Sequence, residues 1–243
     1  MRLLPGLMLV ALGSLPVTPC RAGEPLTVFY NVRPPYLVQK ENGVPSGLTG
    51  TPAQQAFERA GIPVHWSVLP TNRQILMIRE NGGRYCAIGW FQTPERDSFA
   101  KFTKPLYRDQ AWMVLVHGGM TVAESDSLSN VLARPGLRVM VKDKYSYGRS
   151  IDELLVRYKP AIAVSTGTTL QMLQSLGARS VDLIFVSEEE GRYLMANTIS
   201  QAGKLRLLRL ADMPKGETRH IMCSRGVPDE VIDKLNKSIR FNR

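Results

Sequence analysis

Histidine, cysteine and clustered charge are all scarce in this chain, and each scarcity closes off a kind of chemistry. Three histidines serve 243 residues. His65, His117 and His220 are scattered and build no metal-ligand set, so neither a metal site nor a cofactor is expected. A Ser/His/Asp set and a phosphate-binding loop are missing too. No catalytic residue is therefore assigned, and the chain is not read as an enzyme. The net charge is +10, yet no block of five or six like charges occurs. Nucleic-acid binding calls for a basic cluster with interleaved aromatics, and is not expected here. A dispersed basic surface instead favours anionic ligands through long-range attraction. Past residue 22 no stretch approaches the 18 apolar residues of a bilayer span, so the body of the chain is expected to be soluble.

The first 22 residues do hold an apolar stretch. Arg2 precedes Leu3 and Leu4, then Leu7 to Leu12, and small residues lead to Cys20-Arg21-Ala22. A basic start, a short apolar run and a small-residue cleavage site together read as a secretory signal peptide over 1–22; an uncleaved anchor is the alternative. Removal of that segment leaves Cys86 and Cys223. In an exported chain an even pair points to one disulfide, with two buried thiols as the other reading.

About 220 residues remain, enough for one large domain or two small ones. Leu26 to Tyr30 (LTVFY) reads as a buried strand, broken by the prolines of "NVRPPY". A helix over Pro52 to Ala60 stops at Gly61. Val64 to Leu69 is a strand, Asn72 to Arg79 a helix, and Tyr85 to Trp90 a third strand. Thr93-Pro94 then starts a helix, a side-chain acceptor followed by a preset φ. Ala111 to Val116 is apolar, and a second series follows: strand 137–141, a helix over Ser150 to Tyr158 with Ser150 and Glu153 as a capping box, strand 162–164 and helix 169–176. Strand 181–186 comes next, and then a helix after Ser187 with Glu190 in the capping-box position. A charged segment from Lys204 to Leu210, a strand through His220 to Cys223 and a last helix from Pro228 close the chain. Alternating strands and helices define α/β layers. Two successive units of similar size predict two lobes, each a mixed, mainly parallel sheet flanked by helices. The joins fall near Val116 and Cys223, giving lobe 1 as 24–117 plus 224–243 and lobe 2 as 118–223. A cleft between such lobes is a favoured ligand site.

The order of several motifs resembles the periplasmic solute-binding proteins of family 3, the polar amino acid type. These are "RPPY" after the first strand with Gly47-Leu48 opening a helix; "TPER" followed by Phe102-Thr103 and Pro105-Leu106-Tyr107; "SVDLIFVSEEEGRYL"; and a closing helix that bears Asn236. The likeness runs over about residues 25 to 240, and "TPER" with its aromatic close is its most specific part. Within that family the chain looks closest to a divergent branch with Pro70-Thr71-Asn72-Arg73, a Cys86-x-x-Gly89-Trp90-Phe91 segment and a second cysteine near the end. The resemblance implies a type II two-lobed clamshell that acts in the periplasm as a monomer and hands its ligand to a membrane transporter permease or a receptor.

It also implies a site. Arg96 matches the family arginine that binds the ligand carboxylate, a planar pair of donors suited to a bidentate acceptor. It lies in a first helical turn, where the dipole slightly disfavours a cation. Tyr36 falls at the cleft-mouth aromatic. Arg33 and Arg73 are candidates to add charge. Gly89, Trp90 and Phe91 replace the usual Ser or Thr contacts; Gly89 admits close backbone approach and Trp90 is either a stacking surface or a core plug. Ser146, with Tyr147 beside it, is nearest to the family's Gly-Thr turn. The acid that holds an α-amino group is replaced by Ser187, with Glu188 next to it, so either Glu188 takes that role or the ligand has no ammonium. In such a fold a Cys86–Cys223 bridge is expected to brace the base of the hinge. The expected function is capture of a small carboxylate-bearing molecule, an amino acid or related organic acid. A dehydratase-like enzyme of the same fold and a ligand-sensing partner of a receptor are the alternatives.

Overall fold

The computed structural model describes residues 26–197 and 205–241. The expected signal peptide, and Lys204, lie outside those residues. The first lobe begins with β1 (Leu26–Tyr30), short β2 (Val38–Gln39) and β3 (Pro45–Ser46), α1 (Gly50–Arg59), β4 (Val64–Val68), α2 (Thr71–Glu80) and β5 (Tyr85–Phe91). A single turn, α3 (Pro94–Asp97), leads to β6 (Ala100–Phe102) and β7 (Tyr107–Arg108). The second lobe holds β8 (Trp112–His117), α4 (Leu128–Leu132), β9 (Arg138–Lys142), α5 (Arg149–Tyr158), β10 (Ala161–Ser165), α6 (Thr169–Gly177), β11 (Leu183–Ser187), α7 (Glu188–Asn197) and β12 (Leu205–Leu208). The chain then returns to the first lobe for β13 (Thr218–Ser224) and α8 (Asp229–Ser238).

The first sheet runs β4-β1-β5-β13-β6, with β7 also on β13. Its β1 is parallel to β4 and β5, whereas β13 is antiparallel to its neighbours. The second sheet runs β10-β9-β11-β8-β12, parallel through β9 and antiparallel around β8. The inner strands β1, β5, β8 and β11 are covered on both faces, which is why they read as apolar runs rather than alternations, whereas the edge strands β4 and β10 are partly exposed. In the first lobe Ala53, Ala56 and Phe57 of α1 pack with Val28 and Ile88, while Ile75 and Ile78 of α2 meet Phe29 and Met222 on the other face. Trp66 stands edge-on to Tyr30 and Phe57 in that core. Burying side chains of this size stabilises by about 1.5–3 kcal/mol each.

Two expectations about boundaries are corrected. β8 pairs with β11 and β12 and so belongs to the second lobe, and β13 pairs with β5 and belongs to the first. The crossings are therefore near residues 109–111 and 209–217, not near Val116 and Cys223. The two passages touch: Asp109 N–H donates to Glu217 O at 3.0 Å and Trp112 N–H to Pro214 O at 3.1 Å. Gly216 sits where a Cβ would lie 2.0 Å from the Gln110 carbonyl oxygen, so only a hydrogen fits there.

Cys86 and Cys223 do form a disulfide, directly across β5 and β13. It staples the sheet of the first lobe at the end of β5 away from the crossings, and so does not brace the hinge. It closes a span of 137 residues, for which chain entropy alone gives roughly 4–5 kcal/mol.

One capping expectation fails as well. α5 starts after Gly148, and Ser150 does not cap it. Asp152 instead accepts the Tyr147 N–H at 2.9 Å and the Ser146 hydroxyl, closing the turn from inside the helix. A capping box does form one helix later, between Thr168 and Gln171.

Candidate functional site

A cavity lies between the lobes, bounded by the β1 end and its proline loop, the β5–α3 segment, the start of α2, Arg219 of β13, Trp112 of β8 and residues 145–146 of the second lobe. Its enclosed space is small, about 40 Å³, room for some three water molecules at roughly 10–15 Å³ each on this measure.

Arg96 projects into it from α3. Thr93 caps that turn, its hydroxyl oxygen accepting the Arg96 N–H at 3.3 Å. The guanidinium donates through Nη1 to Phe91 O at 2.7 Å and through Nη2 to Lys144 O of the second lobe at 3.2 Å. It lies 4.8 Å over the Trp90 ring. Trp90 is held in turn by its indole N–H, which donates to Gln74 Oε1 at 3.1 Å. Trp90 is thus buried as a core plug, and the cation on its ring is the protein's own Arg96. Arg96 is 5% exposed, and among the described residues no carboxylate lies within ion-pair distance of it. Burial pushes its pKa down to about 10, with the more distant Glu95 and Asp152 opposing. It remains a cation at neutral pH.

Two other arginines share the cavity wall, and both are neutralised. Arg219 grips Asp109 of the crossing with two bonds, Nε to Oδ1 at 2.6 Å and Nη2 to Oδ2 at 2.5 Å. Its Nη1 donates to Gly89 O at 2.9 Å. Gly89 has φ +82° and falls where the β5–β13 register slips, a bulge that turns this carbonyl toward Arg219. Burial raises the Asp109 pKa despite Arg219. Arg33, from the loop after β1, binds Glu190 of α7 across the lobes, Nε to Oε1 at 2.8 Å and Nη2 to Oε2 at 2.5 Å. Burial would raise the Glu190 pKa, but Arg33 outweighs it and the carboxylate sits below its usual range.

Further contacts hold the lobes together beside Arg33. The Tyr36 hydroxyl lies 2.7 Å from Ser187 Oγ and 3.1 Å from Glu189 Oε2. Glu189 Oε1 accepts from the Tyr107 hydroxyl at 2.7 Å and from Gln110 N–H at 2.8 Å. Ser187 Oγ also accepts the Glu190 N–H at 3.2 Å, the N-cap bond of α7. Every contact here converges on the first turn of α7.

Of the residues singled out from sequence, the structure brings Arg33, Tyr36, Gly89, Trp90, Arg96 and Ser146 to the cavity. Ser146 is turned to Asp152, which it meets at 2.5 Å. Ser187 is fully buried behind Tyr36. Arg73 and Glu188 are not placed there. Arg73 is exposed on α2, because the third residue of that helix faces away from the cleft. Glu188 pairs with Arg192 one turn on, at 2.7 Å. Glu190, read as a capping-box residue, reaches Arg33 instead. Arg219 and Asp109 were missed. The signal for Arg219 was a charge within the strand Thr218–Ser224, beside the apolar Ile221-Met222-Cys223; Asp109 gave no local signal. Among the described residues no cluster of three or more His, Cys, Asp or Glu could hold a metal, and no helix is long and apolar enough to cross a membrane.

No family model matches the chain, and no curated protein does. Solved structures match it over most of its length. An ancestral arginine-binding protein bound to arginine has a TM-score of 0.71 and 18% identity, covering 88% of this chain and 90% of that one. A histidine kinase sensor domain with similarity to periplasmic binding proteins gives 0.71 at 16%, covering 89% of each. The arginine-, lysine-, histidine-binding protein ArtJ from the thermophilic bacterium Geobacillus stearothermophilus gives 0.71 at 14%, covering 89% of this chain and 88% of that one. The fold is thus the two-lobed periplasmic binding protein fold.

Proposed function

We propose that this chain is an exported receptor that closes its two lobes on a small carboxylate-bearing molecule and presents the closed form to a membrane transporter or receptor. One observation carries the reading: Arg96 is a buried guanidinium that faces the opposite lobe without a carboxylate partner. Leaving a cation in that state is costly, and an anionic ligand would supply the missing charge through bidentate bonds. The cross-lobe contacts at α7 fit a closed form drawn from an open–closed equilibrium. A disulfide and the fold support a setting outside the cytoplasm, and the solved structures that it resembles include amino-acid-binding proteins and a sensor domain. The test is calorimetry against a panel of small organic and amino acids. Wild-type protein is expected to bind at least one of them, and Arg96→Gln to lose at least 100-fold in affinity, as the loss of two charged hydrogen bonds at about 1.5–3 kcal/mol each implies. Equal affinity in the two proteins would remove Arg96 from the site.

A further inference from the structure

We infer that the guest of this cavity is a small anion that carries no ammonium group. The inference rests on the proposed carboxylate-binding reading and narrows it. The cavity wall includes Arg33, Arg96 and Arg219, and not one aspartate or glutamate. The acids just behind the wall are engaged. Asp109 holds Arg219 and Glu190 holds Arg33, each through both oxygens. Glu189 lies outside the wall behind Tyr36, accepting from the Tyr36 and Tyr107 hydroxyls and from Gln110 N–H. An ammonium brought into the cavity would therefore meet no carboxylate unless it displaced Arg33, Arg219 or the Tyr36 hydroxyl from its partner, and a buried charge without a contacting counter-charge is strongly disfavoured.

Aromatic faces are the other means of holding a cation. In this cavity they are already in use by the protein's own cations. Tyr36 carries Arg219 at 4.1 Å and Arg33 at 5.3 Å. Tyr145 carries Arg33 at 5.2 Å, Trp90 carries Arg96 at 4.8 Å, and Phe91 carries Arg219 at 4.5 Å. The remaining aromatic of the wall, Trp112, offers the opposite chemistry. Its indole N–H is buried with no acceptor, an unsatisfied donor beside three guanidiniums. Arg96 and the Trp112 indole N–H are thus the donors of the wall that the chain itself leaves without a carboxylate or an acceptor.

Matched pairs that differ by the amino group test this: propionate against alanine, succinate against aspartate, and 3-phenylpropionate against phenylalanine, each titrated calorimetrically into the full chain at neutral pH. In the pair that fits best, the amino-free acid is expected to bind at least tenfold tighter. Asn31→Asp, which puts a carboxylate on the half-buried cavity wall, is expected to narrow that ratio. An amino acid that binds as tightly as its partner or tighter, and loses affinity in Arg96→Gln, overturns this inference and leaves the carboxylate reading standing. Failure of every acid of both kinds to bind overturns both.

Discussion

Arg219 and Arg96 stand in one cavity wall, on the same lobe, and could hardly be placed more differently. On the hinge side, Arg219 is clamped by Asp109, by a glycine carbonyl and by two ring faces. At the α3 side, Arg96 has two carbonyls and one ring and no carboxylate. Both cations are buried, but only the first is compensated by a carboxylate of the chain. A charge completed internally is structure, and a charge left incomplete at a gap between two bodies is an invitation to a ligand.

That contrast can be broken at several points. The largest effect is expected from Asp109→Ala, which leaves Arg219 buried and unpaired; unfolding free energy should fall by about 3–5 kcal/mol, read from urea denaturation. Removing the disulfide with Cys86→Ser and Cys223→Ser should cost roughly 2–5 kcal/mol by the same measurement while leaving ligand affinity within a factor of about two, because the bridge lies away from the cavity. A large loss of affinity would show that the first sheet must be stapled for the site to form. Arg96→Met should behave in the opposite sense to a loss at Arg219. Removing an uncompensated buried cation is expected to leave the ligand-free protein as stable as wild type or more so, by up to about 1 kcal/mol, in line with buried ion groups replaced by apolar ones. A marked drop in melting temperature would mean that its two carbonyl bonds matter more to the fold than its charge costs.

Two pH effects are smaller. Ligand binding should stay flat through neutrality and weaken above about pH 10, where Arg96 starts to lose its proton; Arg96→Lys would move that limb. His220 is kept neutral chiefly by burial, its pKa lying below the ordinary 6.5. Below that ordinary value the unfolded chain binds the extra proton first, so stability should decline as pH falls from about 6.5, and His220→Gln should flatten that slope in pH-dependent urea midpoints.

Much of the fold was legible because the strands and helices announce themselves locally. Thr93-Pro94 marked a helix start, and Thr93 caps it; Gly61 marked a stop, and α1 ends just before it. The lobe assignment of β8 was not legible. Its run Trp112–His117 is apolar enough for either sheet, and nothing local chooses between partners at β5 and β11. Arg96 was singled out through the resemblance, with the oddity of a cation set against a helix dipole pointing the same way. Glu190 was misjudged by the same local logic: a spacing of three residues says which backbone group a side chain can reach, and a guanidinium 157 residues away proved the better partner. Asp109 and Arg219 lie 110 residues apart, so their pairing is a product of the two crossings meeting and not of any motif.

The tryptophans have a practical consequence. Of three in the chain, Trp90 and Trp112 border the cavity, and Trp66 lies half-buried on the edge strand β4 against Tyr30 and Phe57, away from it. Entry of a guest would alter the surroundings of two emitters and leave the third as a constant background. The molecule therefore carries its own optical gauge of occupancy, usable without labels, and single Trp→Phe replacements would tell which side of the gap a given compound touches.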